Sequence, residues 1–119
     1  MAPFSQLSEP PQNPGRFRFA VTDLHTLFIT KRHVSDYFGL SQAEINAINQ
    51  LIQSQKKKID ALDPTIDAYN IGMNCGEAAG QTIYHCHVHL IPRRAGDVPN
   101  PRGGVRHVIP NKGFYEDKK

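Results

Sequence analysis

The stretch His85-Cys86-His87-Val88-His89-Leu90-Ile91 constrains this chain more than any other. Polar and apolar residues alternate through it, and along a β-strand successive side chains point to opposite faces. His85, His87 and His89 therefore share one face, with about 6.7 Å between neighbours from two residues of strand rise. Cys86, Val88 and Leu90 line the other face and are expected in the core. A segment of this kind calls for a sheet with one packed side and one chemically active side. Three imidazoles in register are hard to treat as structural, because each needs partners for both ring nitrogens. Clustered imidazoles also resist joint protonation, since each cationic ring lowers its neighbour's affinity for a proton. At least one ring is then neutral at pH 7, as a nucleophile or a metal ligand must be.

The rest of the chain supplies such a sheet. Phe17, Phe19 and Val21 alternate with Arg16, Arg18 and Ala20, which predicts a half-buried strand. Thr26-Leu27-Phe28-Ile29-Thr30 predicts the next, ending in Lys31-Arg32-His33. Ser41 and Glu44 form a capping box, followed by Ile45, Ile48, Leu51, Ile52, Ile59 and Leu62 at helical spacing. Asp63-Pro64 stops that helix, and Lys56-Lys57-Lys58 reads as its solvated carboxyl end rather than a nucleic-acid site. Ala68 to Met73 predicts a third strand and Asn74 to Gly80 a glycine turn. Gln81 to Ile91, closed by Pro92, predicts a fourth strand. Arg93 to Gly104 reads as irregular, Val105 to Ile109 as a short additional strand, and Glu116 to Lys119 as a frayed tail. Residues 1–15, with Pro3, Pro10, Pro11 and Pro14, read as a flexible arm, and 16–119 as a single domain.

Composition narrows the function. At 119 residues and 39% hydrophobic, the chain can build one small core and leaves apolar surface for a partner subunit to cover. No run approaches the roughly 20 apolar residues of a membrane helix. The start, Met1 to Gln6, has neither the basic nor the apolar region of a signal peptide. Cys75 and Cys86 make no disulfide framework, which fits a reducing compartment, so a cytoplasmic location is expected. A net charge of +3 suits an anionic substrate and argues only weakly for a nucleic-acid polymer.

Two chemical readings of the histidine row follow. In one, alternate histidines converge on zinc, but carboxylate or thiolate ligands are scarce nearby. In the other, a neutral imidazole attacks an electrophile such as phosphorus and forms a covalent intermediate. Gly76, Gly80, Gln81 and Thr82 just upstream offer a permissive backbone, an amide and a hydroxyl, and Arg93 and Arg94 downstream could draw in a phosphate. These surroundings favour an anionic substrate.

The row, with Gly80-Gln81-Thr82 before it, Pro92-Arg93-Arg94 after it and Asn74 upstream, resembles the histidine triad (HIT) superfamily, in particular bacterial members like dinucleoside-polyphosphate hydrolases. The resemblance runs from about Ala20 to Pro110 and includes His25-Thr26-Leu27 and Lys31-Arg32-His33-Val34. It implies an α+β HIT-like fold, an antiparallel sheet of about five strands with one long helix packed on it, and pairing as a homodimer. It further implies cleavage at the α-phosphate of dinucleoside polyphosphates or nucleoside phosphoramidates. His87 would be the nucleophile, flanked by His85 and His89. Asn74 would bond near the scissile linkage, and Gly80, Gln81, Thr82 and Arg93 would lie at the phosphate and leaving group. His25 would support the triad from a neighbouring strand. No cofactor is required, although Mg²⁺ can arrive on a polyphosphate substrate. One departure stands out: the family places a ribose-binding acid upstream of Val21-Thr22, and here no acid occurs between Glu9 and Asp23. The nucleoside pocket is then built differently, or the chain starts late and lacks part of it. The alternatives are a catalytically impaired nucleotide-binding module and a zinc-binding protein.

Overall fold

The computed structural model describes residues 3–8 and 20–114. Among these, β1 (Phe4–Ser8), β2 (Thr26–Thr30), β3 (Ile66–Gly72) and β4 (His87–Arg94) form an antiparallel sheet in the order β1-β2-β4-β3. Helix α1 (Gln42–Leu62) lies between β2 and β3 in sequence. The α+β architecture is the expected one, with four strands among the described residues.

Side-chain alternation gives the sheet two different faces. Phe28 of β2 and Val88 and Leu90 of β4 are buried with Ile48 and Ile59 of α1, and Phe4 and Leu24 complete this core. Each such side chain contributes roughly 1.5–3 kcal/mol by leaving water. The other face carries Ile29 opposite His87 and Leu27 opposite His89. On the far side of β4, Gly72 of β3 stands opposite His89. Half of each central strand thus holds the fold, and the other half presents histidines.

The helix begins and ends where the sequence says. Ser41 accepts from the Glu44 backbone N–H, and the Glu44 carboxylate accepts from that of Ser41. Arg32 donates two further bonds to Glu44, and this guanidinium is the chief reason its carboxyl is held down at about 2. Ile48 and Ile59 are buried, while Leu51 and Ile52 pack partly against the core. Leu62 departs from the expected stripe and is 70% exposed at the helix end. A polar bridge ties three elements together: Gln6 donates to Gln55 of α1, which donates to the buried Thr26 hydroxyl. The lysine run is solvated, and Lys56 pairs with Asp60 one turn on.

Four expectations need correction or fall elsewhere. Phe4 to Ser8 are not a loose arm. They pair with β2 from Phe4↔Thr30 to Ser8↔Thr26, and the Pro3 carbonyl accepts from Lys31. Pro10, Pro11 and Pro14 lie outside the described residues, as do most of the strand expected from Arg16 and the tail from Glu116. The fourth strand does not start at Gln81: β4 begins at His87 and continues through Pro92 to Arg94. Residues 81–85 lie outside the ladder, and Cys86 marks its end: its carbonyl still accepts from the Thr30 N–H of β2, while its own N–H turns to the Val34 carbonyl. Proline is tolerated at position 92 because the β2 ladder ends at Leu90, so Pro92 pairs with β3 alone. Finally, residues 104–108 form a 3₁₀ turn rather than a strand, entered through Gly103 and Gly104 at φ 92° and 46°.

Candidate active site

The histidines are set by a chain of hydrogen bonds that fixes which nitrogen of each carries its proton. The turn at 22–25 passes through Leu24, whose φ of 69° is unusual for a leucine, and delivers His25 fully buried at the foot of β2. The Val21 backbone N–H donates to His25 Nδ1 at 3.1 Å. His25 Nε2 therefore carries hydrogen and donates to His89 Nδ1 at 2.9 Å. His89, neutral, must then hold its own proton on Nε2. On His87 the order is reversed. Its Nδ1 lies 2.8 Å from the His85 carbonyl, which only accepts, so Nδ1 bears the proton and Nε2 keeps its lone pair. The His87 and His89 rings meet edge to face with centroids 5.4 Å apart.

Burial and mutual repulsion keep His25 and His89 uncharged. Burial pushes His25 down to about 4, with the neighbouring His89 adding to the effect. His89 is lowered as well, first by burial and then by His87. Of the histidine row, His89 is the neutral imidazole, and His25, outside the row, is neutral with it.

His85 lies outside β4, whereas His87 and His89 lie within it. Sitting before β4, it donates from Nε2 to the Thr30 carbonyl at 2.6 Å and packs edge-on against His33. Gln81, expected at the phosphate, is instead buried and turned inward. Its carbonyl oxygen accepts from Gly76 N–H at 2.7 Å, and its amide donates to Ser35 and Ile83 carbonyls at 2.6 and 3.1 Å. A side chain so engaged clamps the loop and has little left for a substrate. Gly80 ends the short 3₁₀ turn at 77–79 with φ 96°, and Thr82 is exposed.

Asn74, His25, His89 and Arg93 all line one cavity of about 870 Å³ on the histidine face. Arg93 grips Asp97 through two bonds of 2.8 Å and donates a third, at 2.7 Å, to Asn70. The Asp97 carboxyl is held well below the usual range by that guanidinium, so the arginine's charge is largely countered. No group of three or more His, Cys, Asp or Glu among the described residues is arranged to hold a metal ion. Leu24 and Asn70 carry no local signal that marks them as site residues, whereas Gly72, which leaves open space opposite His89, carries a usable hint.

Residues 16–96 match the HIT domain family. An uncharacterized HIT-like protein of Mycoplasma genitalium is 36% identical over 76 residues, which are 63% of this chain and 52% of that protein. The asymmetrical bis(5'-nucleosyl)-tetraphosphatase of Schizosaccharomyces pombe is 34% identical over 73 residues, 61% of this chain and 40% of its own. The crystal structure of Plasmodium falciparum diadenosine triphosphate hydrolase with cyclomarin A superposes with a TM-score of 0.60 at 32% identity, covering 68% of this chain and 54% of that one. The chain spans about half the length of the curated relatives it matches. No helix among the described residues is long and apolar enough to cross a membrane.

Proposed function

The chain belongs to the HIT family, and from that premise we propose that it is a nucleotide hydrolase or transferase acting through a covalent nucleotidyl-histidine. The observation that carries this reading is the proton order of the histidine chain, which leaves the His87 Nε2 lone pair without a partner among the described residues, on a ring that meets the His89 ring edge to face. In the first step His87 Nε2 attacks the α-phosphorus of a nucleoside 5'-phosphoryl compound. The new N–P bond forms as the bond to the leaving group breaks, and the leaving amine or phosphate takes up a proton from solvent, which the water consumed in the second step returns. In the second step water attacks phosphorus, the N–P bond breaks, and the nucleoside monophosphate leaves with the proton from water balancing the release. His89 Nε2–H is a fixed donor for a nonbridging oxygen, and such preorganised donors stabilise charge that builds up in the transition state.

The substrates are read as dinucleoside polyphosphates or nucleoside phosphoramidates, with Mg²⁺ entering on the former as part of the substrate. The relatives named as a tetraphosphatase and a triphosphate hydrolase support that class. The outer edges of β1 and β3, unpaired among the described residues, support assembly as a homodimer. His87→Ala is expected to lower turnover of a nucleoside phosphoramidate by at least about 10³-fold, as loss of a covalent nucleophile does. Brief mixing of the wild-type chain with substrate should give a nucleotidyl adduct by mass spectrometry, absent in His87→Ala. Undiminished turnover in a folded His87→Ala would end the reading, and AMP binding with neither turnover nor adduct would leave a binding module in its place.

A further inference from the structure

The cavity extends well past the histidines. Its floor is the open face of β3 and β4, running from His89 and Gly72 to Ile91 and Asn70, and its opposite wall is the segment 102–114. At about 870 Å³ it is far larger than a phosphate needs and falls within the roughly 300–1,000 Å³ typical of small-molecule pockets.

The wall is built, not a frayed end. His107 donates from Nε2 to the Arg102 carbonyl at 2.7 Å, and Arg106 donates to the carbonyls of Gly113 and Lys112 at 3.3 and 3.0 Å. Glycine is required at two points of this knot. A Cβ on Gly103 would stand 2.1 Å from the Gly113 oxygen, and one on Gly113 would stand 1.9 Å from His107 Nδ1. The knot holds Val105, Val108 and Phe114 at the cavity while leaving them 66%, 73% and 57% exposed. Apolar side chains fixed at the mouth of a cavity offer contact area to a ligand rather than to the core.

We propose that this end of the cavity receives the nucleobase of a nucleoside 5'-phosphoryl substrate, packed against Val105, Val108 and Phe114 with its edge toward Asn70. The inference rests on the triad reading for the position of the phosphate at His89. Two features select a base over a generic apolar group. Asn70 accepts from Arg93 on its oxygen, which turns its amide NH₂ toward Gly104, 3.5 Å from where a Cβ there would lie. That NH₂ has no protein acceptor among the described residues, so it suits a ring nitrogen or carbonyl at a base's edge. Phe114 and the two valines then supply the flat apolar contact that a heteroaromatic ring prefers.

Titration of the full chain with AMP and with ribose 5-phosphate tests this, using calorimetry and a thermal melt for each variant. The wild type should bind AMP at least about tenfold more tightly than the base-free ligand. V105T/V108T keeps side-chain shape at exposed positions and should weaken AMP by about tenfold, the scale of small changes in an apolar pocket, with ribose 5-phosphate altered less than about twofold. Asn70→Asp keeps the acceptor for Arg93, removes the donor, and should weaken AMP selectively too. Equal affinity for the two ligands, or equal losses for both in V105T/V108T, overturns the proposal, and so does a wall that buries itself against a second copy. Base-selective binding without turnover or adduct would sink the enzyme reading and leave the pocket standing. Turnover without base preference would do the reverse.

Discussion

His25 is the residue on which the proton order of the triad depends, and its own position rests on a strained joint. Leu24 takes a left-handed φ of 69° while its side chain stays in the core, a conformation that costs an L-residue about 1–2 kcal/mol. Packing holds it there, and His25 gains a backbone donor on one side and His89 on the other. Because burial holds His25 down at about 4, against an ordinary value of 6.5, the unfolded chain binds more protons than the folded one between those two values. Stability should therefore fall as pH drops through that window and be fully present above it. Melting temperature measured from pH 7 to pH 4.5 should decline in the wild type and decline less in His25→Gln, where only His89, also lowered by burial, is left to take up a proton. The Glu44 carboxyl, held near 2, titrates below this range and leaves the two effects separable. An unchanged slope in His25→Gln would show that this imidazole is not the one controlling the acid side. The same variant should also slow turnover by about 10- to 100-fold, since His89 loses its fixed orientation.

Among the elements, the loop 76–86 shows how placement decides a side chain's role. Gln81 satisfies three backbone groups that no other side chain reaches, so Gln81→Ala should cost about 2–4 kcal/mol through buried groups left unpaired. The urea midpoint should fall with the slope unchanged. A substrate-contact role would instead lower activity at undiminished stability, and that result would restore the phosphate assignment. What the sequence made legible at this scale was what is locally encoded. β2 has its own alternation, α1 its capping box and proline stop, and β3 its β-rich run. β1 was hidden because Phe4–Ser8 is ordered by its distant partner Thr26–Thr30, and flanking prolines mask that. The start of β4 was misplaced because Gln81–Cys86 extends the same alternation, while the bonds that end the ladder at Cys86 come from Ser35 and Val34. In the site, His87, His89 and His25 were readable from pattern and resemblance. The wall at 102–114 was not, since the need for glycine at 103 appears only when Gly113 folds back on it.

On the scale of the whole molecule, the sheet of the described residues ends at β1 and β3 with no further described strand paired to either, and an open edge invites another strand. The two edges are not equivalent. β1 is five residues long and follows Pro3, whereas β3 has seven. A register shift between Ile66 and Ala68 distorts the start of β3, but Tyr69 to Gly72 pair regularly with β4, so their outer backbone groups form an orderly template. Among the described residues, Val21, Phe38, Ile83 and Tyr84 are also exposed apolar surface. These features make β3 the edge at which two copies should join. Sedimentation equilibrium is expected to give twice the 13.3 kDa chain mass. Amide exchange should then locate the contact: residues 69–72 should gain protection as protein concentration rises, while β1 amides stay unchanged. A monomer at about 100 µM, well above the micromolar dissociation constants of ordinary interfaces, rules the dimer out. Protection appearing at β1 instead would move the interface to the opposite edge. The outcome bears on the site as well, because Gly72 lies on β3 beside His89. A dimer through β3 would stiffen the cavity floor, so turnover per chain should rise with concentration over the range in which the dimer forms.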